Sequence, residues 1–112
     1  TAEEMRWFIG HYVSDPERRS DPRVSPLLVE DLRGQPPACV VIAGFDPLRD
    51  EGLAYADKLA ASEVDVSLQV HPGLFHGFWS LGHLLPPARE AIERAARSVR
   101  RGLDAIRSEL RN

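Results

Sequence analysis

Positions 38–52 read ACVVIAGFDPLRDEG, and the reading of this stretch decides the fold. Positions 38–45 are an unbroken apolar run rich in β-branched residues. That pattern predicts a strand buried on both faces, as in a parallel sheet, rather than a half-exposed strand with polar residues at alternate positions. The run ends in Asp46 and Pro47. An aspartate followed by proline is a good helix start, with the carboxylate as N-cap and the proline at the first helical position. Residues 49–62 then read as a helix with Leu53, Ala56, Leu59 and Ala60 as its inner stripe. The sequence therefore predicts a buried strand opening directly into a helix, with an acid at the junction.

The flanking segments extend this grammar. VDVSLQVH, at 64–71, alternates as a second strand, and 72–87 reads as a loop carrying His76. From Ala88 to Leu110 the positions Ala91, Ile92, Ala95, Val99, Leu103, Ile106 and Leu110 trace the apolar stripe of a long amphipathic helix. Upstream, Thr1 and Glu4 form a capping-box pair, and Met5, Phe8, Ile9 and Tyr12 fall on one face of a first helix. Positions 14–37, rich in proline and charge, read as a long surface loop with one short turn at 29–32. The order helix, loop, strand, helix, strand, loop, helix is that of an α/β protein with a parallel sheet. Two strands cannot surround a strand that is apolar on both faces. Positions 1–112 are therefore expected to form the C-terminal portion of one larger domain.

Composition narrows the function classes. The chain has 112 residues, near the size of one domain, with 43% hydrophobic and 28% charged residues, as in ordinary globular proteins. A net charge of -3 gives no reason to expect nucleic acid as a partner. No apolar run approaches the length of a membrane span. The single cysteine, Cys39, lies inside the apolar run and reads as a small core residue. No cofactor is expected, and a cytoplasmic location is.

Asp46 and His76 carry the chemistry. A right-handed strand–helix–strand crossover returns beside the first strand, so both strand mouths lie on the same sheet edge, about 4.8 Å apart. Asp46 follows the first strand and His76 lies a few residues beyond the second. The short loop from the second mouth can bring the imidazole back over the carboxylate, at the carboxyl edge where open α/β sheets place their ligands. Gly73 and Gly77 flank the loop and permit the turns that aim the ring. Asp46 alone reads as a helix cap. At matching mouths of consecutive strands the two residues read as the orienting half of a nucleophilic triad. There the acid fixes the imidazole tautomer and stabilises the imidazolium formed during acyl transfer.

With GFDPLRDEG followed by PGLFHGF, and with DPRVSPL at 21–27 and MRWFIGHY at 5–12, the chain resembles the hormone-sensitive-lipase-like esterases, the bacterial family IV branch of the α/β-hydrolase fold. The resemblance covers nearly the whole chain. It implies a serine carboxylic-ester hydrolase with Asp46 as triad acid and His76 as general base, in the chain order usual for these enzymes. It also implies short to medium acyl esters as substrates, and copies that can pair into a homodimer through the sheet edge. One departure is large: neither a G-x-S-x-G nucleophile elbow nor a glycine-rich oxyanion motif occurs here, and no serine has the required glycine context. Both are expected upstream, in a nucleophile-bearing portion outside these 112 residues, so this piece alone should not turn over substrate.

Weaker features complete the reading. Leu48, Phe75, Phe78 and Trp79 surround the presumed mouth, either as lining of an acyl or alcohol pocket or as core packing. His71, His76 and His83 match no zinc spacing, and no metal site is expected. Two rival readings remain: a non-catalytic module that keeps the hydrolase fold to bind a small molecule, and an unrelated doubly wound domain in which Asp46 only caps a helix.

Overall fold

Among the described residues, a pair of parallel strands organises the second half of the chain. The computed structural model describes residues 2–111, so the capping-box pairing of Thr1 with Glu4 lies outside the described residues. The described residues form two units, one ending at Asp31 and one beginning at Leu32.

The first unit holds helix α1, Ala2–Tyr12. Its apolar face is largely exposed, with Phe8 at 63% and Tyr12 at 77%. The segment that follows is more ordered than a plain loop. Two 3₁₀ turns, Pro16–Ser20 and Pro26–Leu28, each begin with proline, whose fixed φ suits a first helical position. The carboxylate of Asp15 caps the first turn by accepting the Glu17 N–H at 3.1 Å. The turn expected at 29–32 is thus displaced to Pro26–Leu28, because Pro26 initiates it.

The second unit carries strand β1 (Ala38–Phe45), helix α2 (Arg49–Ala61), strand β2 (Val66–Phe75) and helix α3 (Pro86–Glu109). β1 coincides with the expected strand. It pairs in parallel with β2 from Ala38↔Val66 to Ala43↔His71. Only Ile42 and Ala43 of β1 are buried, because one neighbouring strand and its helices do not enclose a strand that is apolar on both faces.

Other boundaries moved for identifiable reasons. α2 buries Ala56 and Leu59, whereas Ala60 is exposed rather than part of the inner stripe. Glu63 adopts a left-handed conformation (φ 62°), and the Val64 N–H reaches back to the Leu59 carbonyl at 3.1 Å. This is a Schellman-type helix end. It takes Val64 away from the second strand, which therefore starts at Val66. At its far end β2 does not stop at Pro72 but runs on to Phe75, with an irregularity opposite Gly44. α3 starts at Pro86, two residues early, since both prolines fit the first turn.

The core lies where α3 crosses the carboxyl half of the strands. Ala43, Leu74, Phe78, Ala88 and Ala91 cluster there, with Val41 and Leu85 packed against them. Three alanines of α3, Ala88, Ala91 and Ala95, are at most 4% exposed and let the helix approach the sheet closely. Further along, Val99, Leu103 and Leu110 of the expected stripe are exposed, at 50%, 57% and 82%.

Candidate active site

The carboxyl ends of β1 and β2 open side by side. The carboxylate of Asp46, one residue beyond β1, makes two contacts. Its Oδ1 accepts the Leu48 N–H at 2.8 Å, and its Oδ2 lies 2.9 Å from Nδ1 of His76. The Asp46 carbonyl also accepts the Arg49 N–H at 3.1 Å, closing a turn before α2. The capping and orienting readings of this residue are therefore compatible, since one oxygen serves each. The cap differs in detail from expectation. Asp46 closes the turn at Pro47–Leu48, and Leu48 is the residue that precedes the first turn of α2.

His76 is held from its backbone as well. Its N–H donates to the Phe45 carbonyl at 3.1 Å, which continues the β1–β2 ladder by one bond and sets the imidazole level with Asp46. The next residue, Gly77, has φ 82° and turns the chain into the 3₁₀ segment Phe78–Leu81. A residue with a Cβ is strained in that conformation.

The electrostatics follow from these contacts. Burial pushes the Asp46 carboxyl up, but the Leu48 N–H, the His76 hydrogen bond and the charge on that ring outweigh it. The net effect holds the group below its ordinary 3.8. At neutral pH an ionised carboxylate can only accept, so Nδ1 of His76 carries the proton that joins them. In the neutral ring Nε2 is then the free base. The Asp46 side chain is 16% exposed and that of His76 66%, so the acid is sheltered while the base is open to solvent.

The four apolar residues expected around the mouth are not gathered into one pocket. Phe78 is 6% exposed and belongs to the core beneath the site. Trp79 lines a groove of about 530 Å³ with Ile92, Val99 and Leu103 of α3, away from Asp46. Leu48 and Phe75 flank the carboxylate and the imidazole in sequence and are 40% and 45% exposed. His71 is in β2, with its ring 6.0 Å from that of Phe78 and Nε2 buried without a hydrogen-bond partner. Desolvation and then the Arg94 charge push it below 6.5. No three histidine, cysteine or acidic side chains among the described residues group as a metal would need.

Sequence reasoning missed a polar cluster further back along the ladder. Gln69, 4% exposed, donates to Ser98 Oγ at 2.9 Å, and Ser98 also meets Ser67 (3.1 Å) and Arg101 (3.0 Å). Gln69 in an alternating strand, with Ser98 on the inner side of a helix, was the available signal.

Comparison with known proteins agrees with this architecture. Residues 1–80 match a family model described as the alpha/beta hydrolase fold. The chain is 46% identical over 85 residues to the carboxylic ester hydrolase LipN of Mycobacterium tuberculosis, covering 75% of this chain and 23% of that protein. It is 41% identical over 91 residues to an ethyl acetate hydrolase of Pseudomonas putida, covering 81% and 29%. It superposes on EstE1, a thermostable carboxylesterase from a metagenomic library, with a TM-score of 0.85 and 46% identity over 90% of this chain and 34% of that one. The chain belongs to the α/β-hydrolase family, in its hormone-sensitive-lipase-like esterase branch. It spans between 23% and 34% of the length of these relatives.

Proposed function

We propose that this chain supplies the acid and the base of a serine carboxylic-ester hydrolase, with Asp46 and His76 in those roles. The nucleophilic serine and the oxyanion hole come from an upstream portion of the same protein. The reading rests on one observation, the 2.9 Å contact of His76 Nδ1 with Asp46 Oδ2 at the carboxyl edge of a parallel strand pair. The names of the relatives, a carboxylic ester hydrolase and an ethyl acetate hydrolase, support an ester substrate, the second a short acyl group; the extension to medium acyl groups is part of the proposal.

The chemistry follows from the tautomer. The serine hydroxyl attacks the ester carbonyl carbon while His76 Nε2 takes its proton. The resulting imidazolium is stabilised by the Asp46 carboxylate. The tetrahedral adduct expels the alcohol oxygen, which takes the proton from Nε2, leaving an acyl-serine. Water then attacks this ester, again giving its proton to Nε2, and the proton returns to the serine as the acid leaves. Asp46 stays ionised throughout.

A homodimer formed through an open edge of the sheet, and a cytoplasmic location consistent with the free Cys39, belong to the same proposal. Among the described residues no helix is long and apolar enough to cross a membrane.

The test uses the full-length protein, a p-nitrophenyl ester of a short acid and a fluorophosphonate probe. The expected result is turnover, with the label on a serine outside these 112 residues. An unlabelled, inert full-length protein would favour a binding module on the same fold. Label on one of the serines within these residues would overturn the division of the triad.

A further inference from the structure

The irregularity in β2 explains how His76 comes level with Asp46, and it depends on one glycine. The ladder is regular up to Ala43↔His71 and resumes at Phe45↔Phe75. Between those pairs, Gly44 alone faces Pro72, Gly73 and Leu74, so β2 absorbs two extra residues. Had the ladder continued regularly, Leu74 would stand opposite Asp46. His76 would then lie two residues further along, roughly 6.6 Å away at ~3.3 Å per residue. The even number of extra residues matters too, since a slip of one would turn every following side chain to the other face. Pro72 has no N–H to give the ladder, which makes it a natural place to leave the regular pairing. Leu74, 6% exposed in the core, anchors the returning strand.

Gly44 is where the bulge meets β1. A methyl group on it would stand 2.6 Å from the Cα of Pro72 and 2.7 Å from its carbonyl carbon, closer still to the carbonyl oxygen. These are backbone atoms of a residue with fixed φ and cannot step aside as a flexible side chain would. Gly73, expected from the sequence to permit a turn that aims the ring, does not act so: nothing lies within 4 Å of its would-be Cβ and its φ is not positive, so only Gly77 of that pair uses a glycine's freedom.

We infer that Gly44 is a positioning residue for the Asp46–His76 pair: its missing side chain lets β2 bulge at Pro72 and return in the register that sets the imidazole opposite the carboxylate. It touches neither reacting atom and acts through the Phe45–His76 backbone bond. The inference rests on the proposed triad.

The experiment compares Gly44→Ala with Gly73→Ala in the full-length protein. It reads kcat, KM and the downfield proton resonance of the His76 Nδ1–H. Gly44→Ala is expected to lower kcat by roughly 10²-fold, the scale of a displacement of about 1 Å, with KM little changed. The imidazole resonance is expected to be lost or broadened, and Gly73→Ala to leave all three unchanged. If Gly44→Ala does not accumulate as folded protein, the same readings are taken on Gly44→Ala combined with Pro72→Gly, which frees the strand to carry its carbonyl away from the new methyl. Native kcat and a native resonance in a folded Gly44→Ala protein would overturn the inference. In the combination, recovery of both once Pro72 can move away supports it, and a folded combination that recovers neither would overturn it. Failure of the triad reading is separate: there Asp46→Asn would leave turnover intact, whatever Gly44→Ala does.

Discussion

His71 and His76 lie five residues apart on the same run of chain, and the two regions that hold them differ in every respect that matters for chemistry. His76 sits at the open mouth of the strand pair, exposed on one side and joined to a sheltered carboxylate on the other. His71 lies in the strand, with Nε2 buried and unpartnered and its ring beside Phe78. The first arrangement holds the imidazole in one tautomer with its other nitrogen open to solvent. The second opposes charging of the ring. Residue type alone does not separate them; the presence of an acceptor and of open solvent does.

The sharpest way to break this comparison is to exchange each histidine for glutamine in the full-length protein. His76→Gln is expected to reduce turnover of a p-nitrophenyl ester by about 10⁴-fold or more, the scale on which loss of a triad member acts in serine proteases. His71→Gln is expected to leave kcat within a few-fold. Comparable losses from both would show that His71 belongs to the site and that burial is a poor guide here.

The next effect concerns the core against which the His71 ring lies. Phe78 and Leu74 pack on Ala43, Ala88 and Ala91. Phe78→Ala is expected to cost about 3–5 kcal/mol of stability and Leu74→Ala about 2–5 kcal/mol. Equilibrium denaturation checks both. A cost below about 1 kcal/mol for Phe78 would mean that it lines a pocket instead.

How much of this was legible in the sequence differs between the same two regions. β1 and the acid at its end could be read directly, because an unbroken β-branched run followed by Asp-Pro admits few alternatives. The neighbouring strand mouths put His76 within reach of Asp46, but through a loop folding back, whereas it is the end of β2 itself that carries the ring there. The bulge could not be read. Pro72 and Gly73 read as the end of a strand, yet the chain leaves the ladder there and rejoins it at Phe75, held by Leu74 in the core. That rescue is tertiary and leaves no periodic trace. The aromatic residues after His76 were ambiguous for a related reason. Phe78 and Trp79 are adjacent, and the 3₁₀ turn that sends one into the core and the other toward α3 is too short to show a period. The α3 stripe was legible as a pattern, but whether Val99 and Leu103 meet other residues depends on packing that the pattern does not contain.

A smaller effect distinguishes the two regions by pH. For His71 the folded value is pushed below 6.5, so the unfolded chain binds the proton more readily. Its stabilising contribution is complete above pH 6.5 and is lost as pH falls through the lowered folded value. Arg94 opposes charging of the ring, while Glu90, Glu93 and Arg97 line the same groove. Asp46 has the same sign in a lower window, its contribution being present above 3.8 and lost below as pH passes its depressed value. Denaturation midpoints between pH 7 and 5 should therefore fall in the wild type and fall less in His71→Leu. Equal slopes would remove His71 as the cause.

The smallest expected change lies at the end of α2. Glu63 holds a left-handed conformation that costs a residue with a Cβ about 1–2 kcal/mol, while glycine loses part of that gain through its freer unfolded chain. Glu63→Gly is expected to raise stability by about 0.5–1 kcal/mol, read from the thermal midpoint, with turnover unchanged. A destabilised variant would mean that the Glu63 side chain outweighs the backbone cost.

The most direct test of the account is the turnover of full-length Asp46→Asn. Asparagine can still accept the Leu48 N–H and so keep the turn, but it cannot hold an imidazolium or enforce the tautomer. The account predicts a folded protein with wild-type thermal stability to within about 1 kcal/mol and a turnover lower by about 10⁴-fold. A folded Asp46→Asn protein that keeps most of its activity would contradict it, leaving Asp46 as the cap of a turn and nothing more.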